Sequence, residues 1–146
     1  MNWVEHAIWW HVYPLGFAGA PVRDADRSPA PRLRWLLNWL DYAVELGASG
    51  LLLGPIFSSA SHGYDSLDQL SIDPRLGGDA DFDDLVTACR QRGLRLVLDG
   101  VFSHVSADHP LLRRALDEGP DGEAAALFDI EDRKSTRLNS SHALAS

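Results

Sequence analysis

The spacing of apolar residues changes period several times along the chain. Residues 7–13, AIWWHVY, form a β-prone run of aromatic and branched side chains, ended by Pro14 and Gly16. Residues 19–31 carry Pro21, Pro29 and Pro31 and are expected to be a loop. From Leu33 the period is helical. Leu33, Leu36, Leu37, Leu40, Ala43 and Val44 line one side; Arg32, Arg34, Asn38, Asp41 and Glu45 line the other, and Gly47 supplies the stop. Residues 50–57, GLLLGPIF, make a continuous apolar run that suits a strand covered on both faces. A long loop, 58–78, leads to a second amphipathic helix, capped by Asp79 or Asp81. That helix buries Phe82, Leu85, Val86 and Cys89 and closes at Gly93. Residues 94–99, LRLVLD, are the third strand, and residues 109–128 read as two short helical pieces around the Gly119–Pro120 break.

The resulting order, strand, helix, strand, loop, helix, strand, implies an α/β fold with parallel strands joined by right-handed crossovers. In such sheets ligands lie beyond the carboxyl ends of the strands. Here those ends are YPLGF, SSASHGYD and DGVFSH. Polar and aromatic groups gather there: Tyr13, His62, Tyr64, Asp65, Asp99 and His104.

Composition narrows the function classes. A chain of 146 residues, 45% hydrophobic and 23% charged, is long enough for one folded domain with a sizeable core. A net charge of -8, with no basic cluster, argues against nucleic-acid and anionic-membrane partners. The single cysteine, Cys89, rules out an internal disulfide and sits on an apolar stripe as core filler. The amino terminus lacks the positive segment of a signal peptide. Its apolar stretch is too short to span a bilayer and is broken by His11 and Pro14, so a cytoplasmic protein is expected.

The last fifteen residues differ from the rest. Lys134 is the only lysine in the chain, and DRKSTRLNSSHALAS turns abruptly to Ser, Thr and Asn. Residues 132–142 resemble the translation of a common sequencing-library adapter. Residues 132–146 are therefore read as a non-native, disordered tail. The natural gene is expected to continue past residue 131.

At the rim residues the sequence resembles the α-amylase superfamily of glycoside hydrolases. The matching segments are VYPLGF, LDYAVELGASGLLLGPIF, HGYDSLDQLSIDPRLGGDADFDDLV and RGLRLVLDGVFSH, which together cover residues 9–104. The last is similar to the family's Asp-x-x-x-Asn-His motif at the end of strand three. The resemblance implies a partial (β/α)8 TIM barrel over residues 1–131, with 108–131 as the start of the insertion after strand three. It further implies that Tyr64 stacks on the sugar ring at the cleavage subsite. His104 hydrogen-bonds the same sugar, and His62 occupies a position where some amylases place another histidine. Asp99 supports the strand-four arginine that orients the nucleophile, and Asp65 stands beside it as a supporting residue. Ser103 replaces the motif's asparagine, a calcium ligand in some members, so no metal and no cofactor are expected. Ser61 stands where exo-acting α-glucosidases commonly have aspartate, which weakens an exo-glucosidase reading.

The family's nucleophilic aspartate, general-acid glutamate and third aspartate lie on strands four, five and seven, beyond this chain, so no residue here is read as catalytic. The expected function is a fragment of a retaining α-glycosidase acting on α-linked glucans or maltooligosaccharides, inactive alone. The alternative is a non-catalytic binding or scaffold subunit of the same superfamily. Those relatives carry a membrane span before the barrel, whereas this chain starts at strand one. A doubly wound nucleotide-binding domain lacks support, because no glycine-rich phosphate loop follows the first strand. Trp9, Trp10, Trp35 and Trp39 are expected to pack, and His6 and His11 to carry no chemistry.

Overall fold

The computed structural model describes residues 3–23 and 26–129. The tail at 132–146, and with it the adapter reading, lies outside the described residues. After a 3-10 turn at Trp3–His6, strand β1 (Trp9–Val12) runs into a single helical turn, α1 (Pro14–Phe17). Helices α2 (Arg34–Leu37) and α3 (Leu40–Glu45) lead to β2 (Gly50–Leu53). A hairpin, β3 (Phe57–Ser59) and β4 (Ser66–Ile72), precedes α4 (Asp79–Gln91), β5 (Arg95–Leu98) and α5 (Pro110–Glu118). A second 3-10 turn covers Glu123–Leu127.

The main sheet has the order β1-β2-β5, and both pairings are parallel, as the alternation of periods predicts. Residues in register share a face. Trp10, Leu51 and Leu96 align, as do Val12, Leu53 and Leu98. That face meets Leu33, Leu36, Leu40 and Ala43 from the first helical region and Leu85 and Cys89 from α4, forming the core. Leu51, Leu53, Leu36, Leu40 and Leu85 are essentially sealed from solvent, so truncating any one would cost about 2–5 kcal/mol. At the amino-terminal end of the sheet, Gly50 lets strands and rings close up. A Cβ there would meet the Arg95 carbonyl at 2.3 Å and the Trp9 ring at 2.6 Å.

Several details depart from the sequence reading. Strand two ends at Leu53 rather than running to residue 57, because Gly54 and Pro55 follow and proline has no N–H for a ladder. The supposed loop 58–78 instead holds the antiparallel hairpin β3–β4, which begins at Phe57. The first helix is broken at Asn38 and Trp39. The Trp39 indole joins a cluster with Trp10, Phe17 and Tyr42. Val44 lies one step of about 100° beyond Ala43 and turns outward, while Trp35 is 60% exposed rather than packed. Finally, Gly78 is the N-cap residue of α4, and Asp81 reaches back from the first turn to accept its N–H at 3.0 Å. The Gly119 break falls where expected, with φ +78° at the end of α5.

Candidate sugar site at the carboxyl rim

The strand ladder itself carries Asp99 to the rim. The Gly54 amide donates to the Val12 carbonyl at 2.8 Å, and the Asp99 amide donates to the Leu53 carbonyl at 2.9 Å. Three strand ends are thus level, and the loops that leave them share one edge.

The hairpin tip brings Tyr64 to the same edge. Gly63, at φ +95°, supplies the reversal, and the tip folds against Pro55, 3.1 Å from where a Gly63 Cβ would be. The Asp65 carboxylate organises this turn, accepting from the Ser61 hydroxyl at 2.6 Å and the His62 amide at 3.2 Å. Burial alone pushes the Asp65 carboxyl up. The Ser61 bonds and the neighbouring His62 ring outweigh this and hold it below its ordinary value. The Tyr13 hydroxyl donates to the His62 carbonyl at 2.9 Å, pinning the tip from the first strand's side.

Tyr64 and Asp99 come together. Burial first, and then the Asp99 carboxylate beside it and the nearness of Tyr13, raise the Tyr64 phenol above its ordinary value. The hydroxyl stays protonated beside the Asp99 carboxylate, while the residue keeps 40% exposure. An aromatic face open to solvent with its hydroxyl beside a carboxylate is the arrangement that packs on sugar C–H groups. His62 is exposed beside it, the ring centroids 6.1 Å apart. Its Nδ1 accepts from the Tyr64 amide at 3.2 Å, which leaves Nε2 as the donor of the neutral ring.

His104 reaches the rim from the other loop. It is half-buried, with Nδ1 3.0 Å from the Ser103 hydroxyl. Two residues on, the Ser106 amide donates to the Ser66 carbonyl at 2.9 Å, tying the His104 segment to the base of the Tyr64 hairpin. Among the described residues, no group of three or more His, Cys, Asp or Glu side chains could hold a metal ion. Among the same described residues, no helix is long and apolar enough to cross a membrane.

Comparison with known proteins then decides the family. The catalytic domain of α-amylase matches residues 12–138, a span that runs on into the residues set apart as a tail. The chain belongs to the α-amylase family. An intracellular maltogenic amylase of Bacillus subtilis is 34% identical over 88% of this chain and 24% of its own length. A trehalose-6-phosphate hydrolase of Escherichia coli is 35% identical over 80% of this chain and 21% of its own. In three dimensions, a cyclic α-maltosyl-(1→6)-maltose hydrolase from Arthrobacter globiformis, in complex with maltose, superposes with a TM-score of 0.75. That match has 28% identity and covers 95% of this chain and 35% of the neighbour. This α-amylase-family chain thus spans less than a third of either curated relative. Its three parallel strands and crossover helices are a partial (β/α)8 barrel.

The sequence reading of this α-amylase-family rim missed one group. Arg75 and Asp73 are both fully buried beneath the hairpin, paired at 2.6 Å. Charged residues are rarely sealed from solvent, so composition points them outward. Their only local signal is the Asp-Pro-Arg spacing inside a segment flanked by Ile72 and Leu76.

Proposed function

We propose that this chain is the amino-terminal part of a retaining α-glycosidase acting on α-linked glucans or maltooligosaccharides. In this reading Tyr64 stacks on a glucosyl ring, while His104 and His62 donate to its hydroxyls. Asp99 supports the site by standing beside the Tyr64 hydroxyl and by offering a carboxylate to a cationic group of strand four. Asp65 supports it by holding the tip. The nucleophile and general acid belong to later strands, so the chain by itself binds but does not cleave. It needs no cofactor, and its place is the cytoplasm, as the name of its intracellular Bacillus relative suggests.

The observation that carries this reading is the half-exposed Tyr64 ring beside Asp99 at the strand ends. The test uses the 146-residue chain with maltoheptaose and ligand-observed saturation-transfer NMR. The expected result is saturation transfer to the sugar that Tyr64→Ala abolishes, with no release of reducing ends. Absence of transfer in the unaltered chain would overturn the sugar site. Measurable hydrolysis would overturn the assignment of chemistry to later strands.

A further inference from the structure

Arg75 has five N–H groups, and all five are used. Nε donates to Asp73 Oδ1 at 2.8 Å, and Nη2 donates to Asp73 Oδ2 at 2.6 Å, a two-point fork on one carboxylate. The second Nη2 proton goes to the Ser59 hydroxyl at 2.9 Å. The two Nη1 protons go to the Ser61 carbonyl at 2.6 Å and the Pro21 carbonyl at 2.9 Å. One buried cation therefore gathers the loop after β1, the end of β3 and the hairpin tip.

Ser59 extends this reach. Its hydroxyl donates to Asp73 Oδ2 at 3.2 Å and accepts from Arg75 and from the Gly63 amide, the latter at 3.0 Å. Ser61 and Gly63 both stand in the turn just before Tyr64. From the guanidinium to the amide of Gly63, the residue before Tyr64, there are two hydrogen bonds, both buried. Among the described residues no buried side-chain polar atom lacks a partner. The buried side of the tip is thus fully hydrogen-bonded.

We propose that Arg75, clamped by Asp73, is a positioning residue that sets where the Tyr64 ring stands. In this way it controls glucosyl affinity from the buried side of the hairpin. The affinity half of this statement rests on the sugar-site reading above; the ring-position half does not. A merely structural ion pair would change stability without moving one ring against the others. A positioning pair moves Tyr64 while distant rings stay put.

The chain's three tyrosines make the distinction measurable, because Tyr42 lies on α3, away from the hairpin. Ring-labelled tyrosine spectra of the full 146-residue chain, assigned with single Tyr→Phe variants, would compare wild type with Arg75→Lys and Ser59→Ala. Lysine keeps the charge but offers three donors from a single point, so it cannot hold the fork and both carbonyls. The expected result is displaced Tyr64 and Tyr13 ring signals with Tyr42 unmoved. Maltotriose affinity, read by saturation transfer, should fall roughly tenfold.

An unshifted Tyr64 ring in folded Arg75→Lys overturns the proposal, as does a shift of all three tyrosines together. Should Arg75→Lys not fold, Ser59→Ala decides by the same two criteria. A displaced Tyr64 ring in a chain that binds no sugar even as wild type supports the positioning role and overturns the sugar-site reading instead.

Discussion

Two loops meet at the carboxyl rim, and they are held in different ways. The loop after β2 rises over a buried ion pair whose donors are all satisfied, and its tip is tied at Ser59, Ser61, His62, Gly63 and Asp65. The loop after β5 runs across the surface. Phe102 is 85% exposed, Ser103 is exposed, and His104 leans on its neighbour Ser103. Both loops carry residues of the proposed sugar site, but only the first rests on a buried ion pair; the second is tied through the Ser106 amide to the Ser66 carbonyl. Preorganised polar networks hold a group still, whereas exposed segments with few buried contacts open at low cost.

The sharpest break of this contrast is Arg75→Ala. It leaves the Asp73 carboxylate buried without its counter-charge, and the expected loss is about 3–5 kcal/mol in urea unfolding. Ser103→Ala, in the other loop, should stay within about 0.5 kcal/mol of wild type. Comparable losses for the two would erase the distinction.

Acid probes the same pair more gently. Burial pushes the Asp73 carboxyl up, but the Arg75 hydrogen bonds, the Arg75 charge and the Ser59 amide together hold it below its ordinary value of 3.8. A depressed carboxylate contributes stability that is complete above the unfolded value and disappears as pH falls through the lower folded one. Hydrogen exchange followed down through this range should show the Ser59 and Gly63 amides losing protection first. The Asp99 amide, bonded to the strand carbonyl of Leu53, should keep its protection until the whole chain unfolds. Simultaneous loss would mean that the hairpin has no local opening governed by Asp73.

Two glycines give the finest comparison. Gly63→Ala places a Cβ at φ +95° and 3.1 Å from Pro55, so it should cost about 1–2 kcal/mol. Gly100→Ala meets only the ring of exposed Phe102, and its backbone is outside the left-handed region, so the ring swings away and the cost stays within about 0.5 kcal/mol. Thermal unfolding of both variants would read the difference, and a reversed order would place the rigid loop after β5 instead.

Much of this architecture was legible in the residues. The switch from the β-prone run at 7–13 to helical spacing at Leu33, Leu36, Leu40 and Ala43, and back to GLLL, determined the order and parallel direction of the strands. Periodicity records which face of an element is buried, and it does so within a dozen residues. The rim was legible in part: Asp99 follows the end of β5, and the hairpin brings Tyr64 beside it. Local windows failed where burial was decided by partners far along the chain. Whether residues 58–78 were loop or hairpin depended on pairing Phe57 with Ile72. Val44 and Trp35 turned outward because the sheet accepted Leu36, Leu40 and Ala43 instead. Arg75 went inside because Pro21, Ser59, Ser61 and Asp73 together offered an acceptor for each of its protons. A charged side chain is buried only when every donor finds an acceptor, and that condition is met in space, by segments the sequence keeps apart.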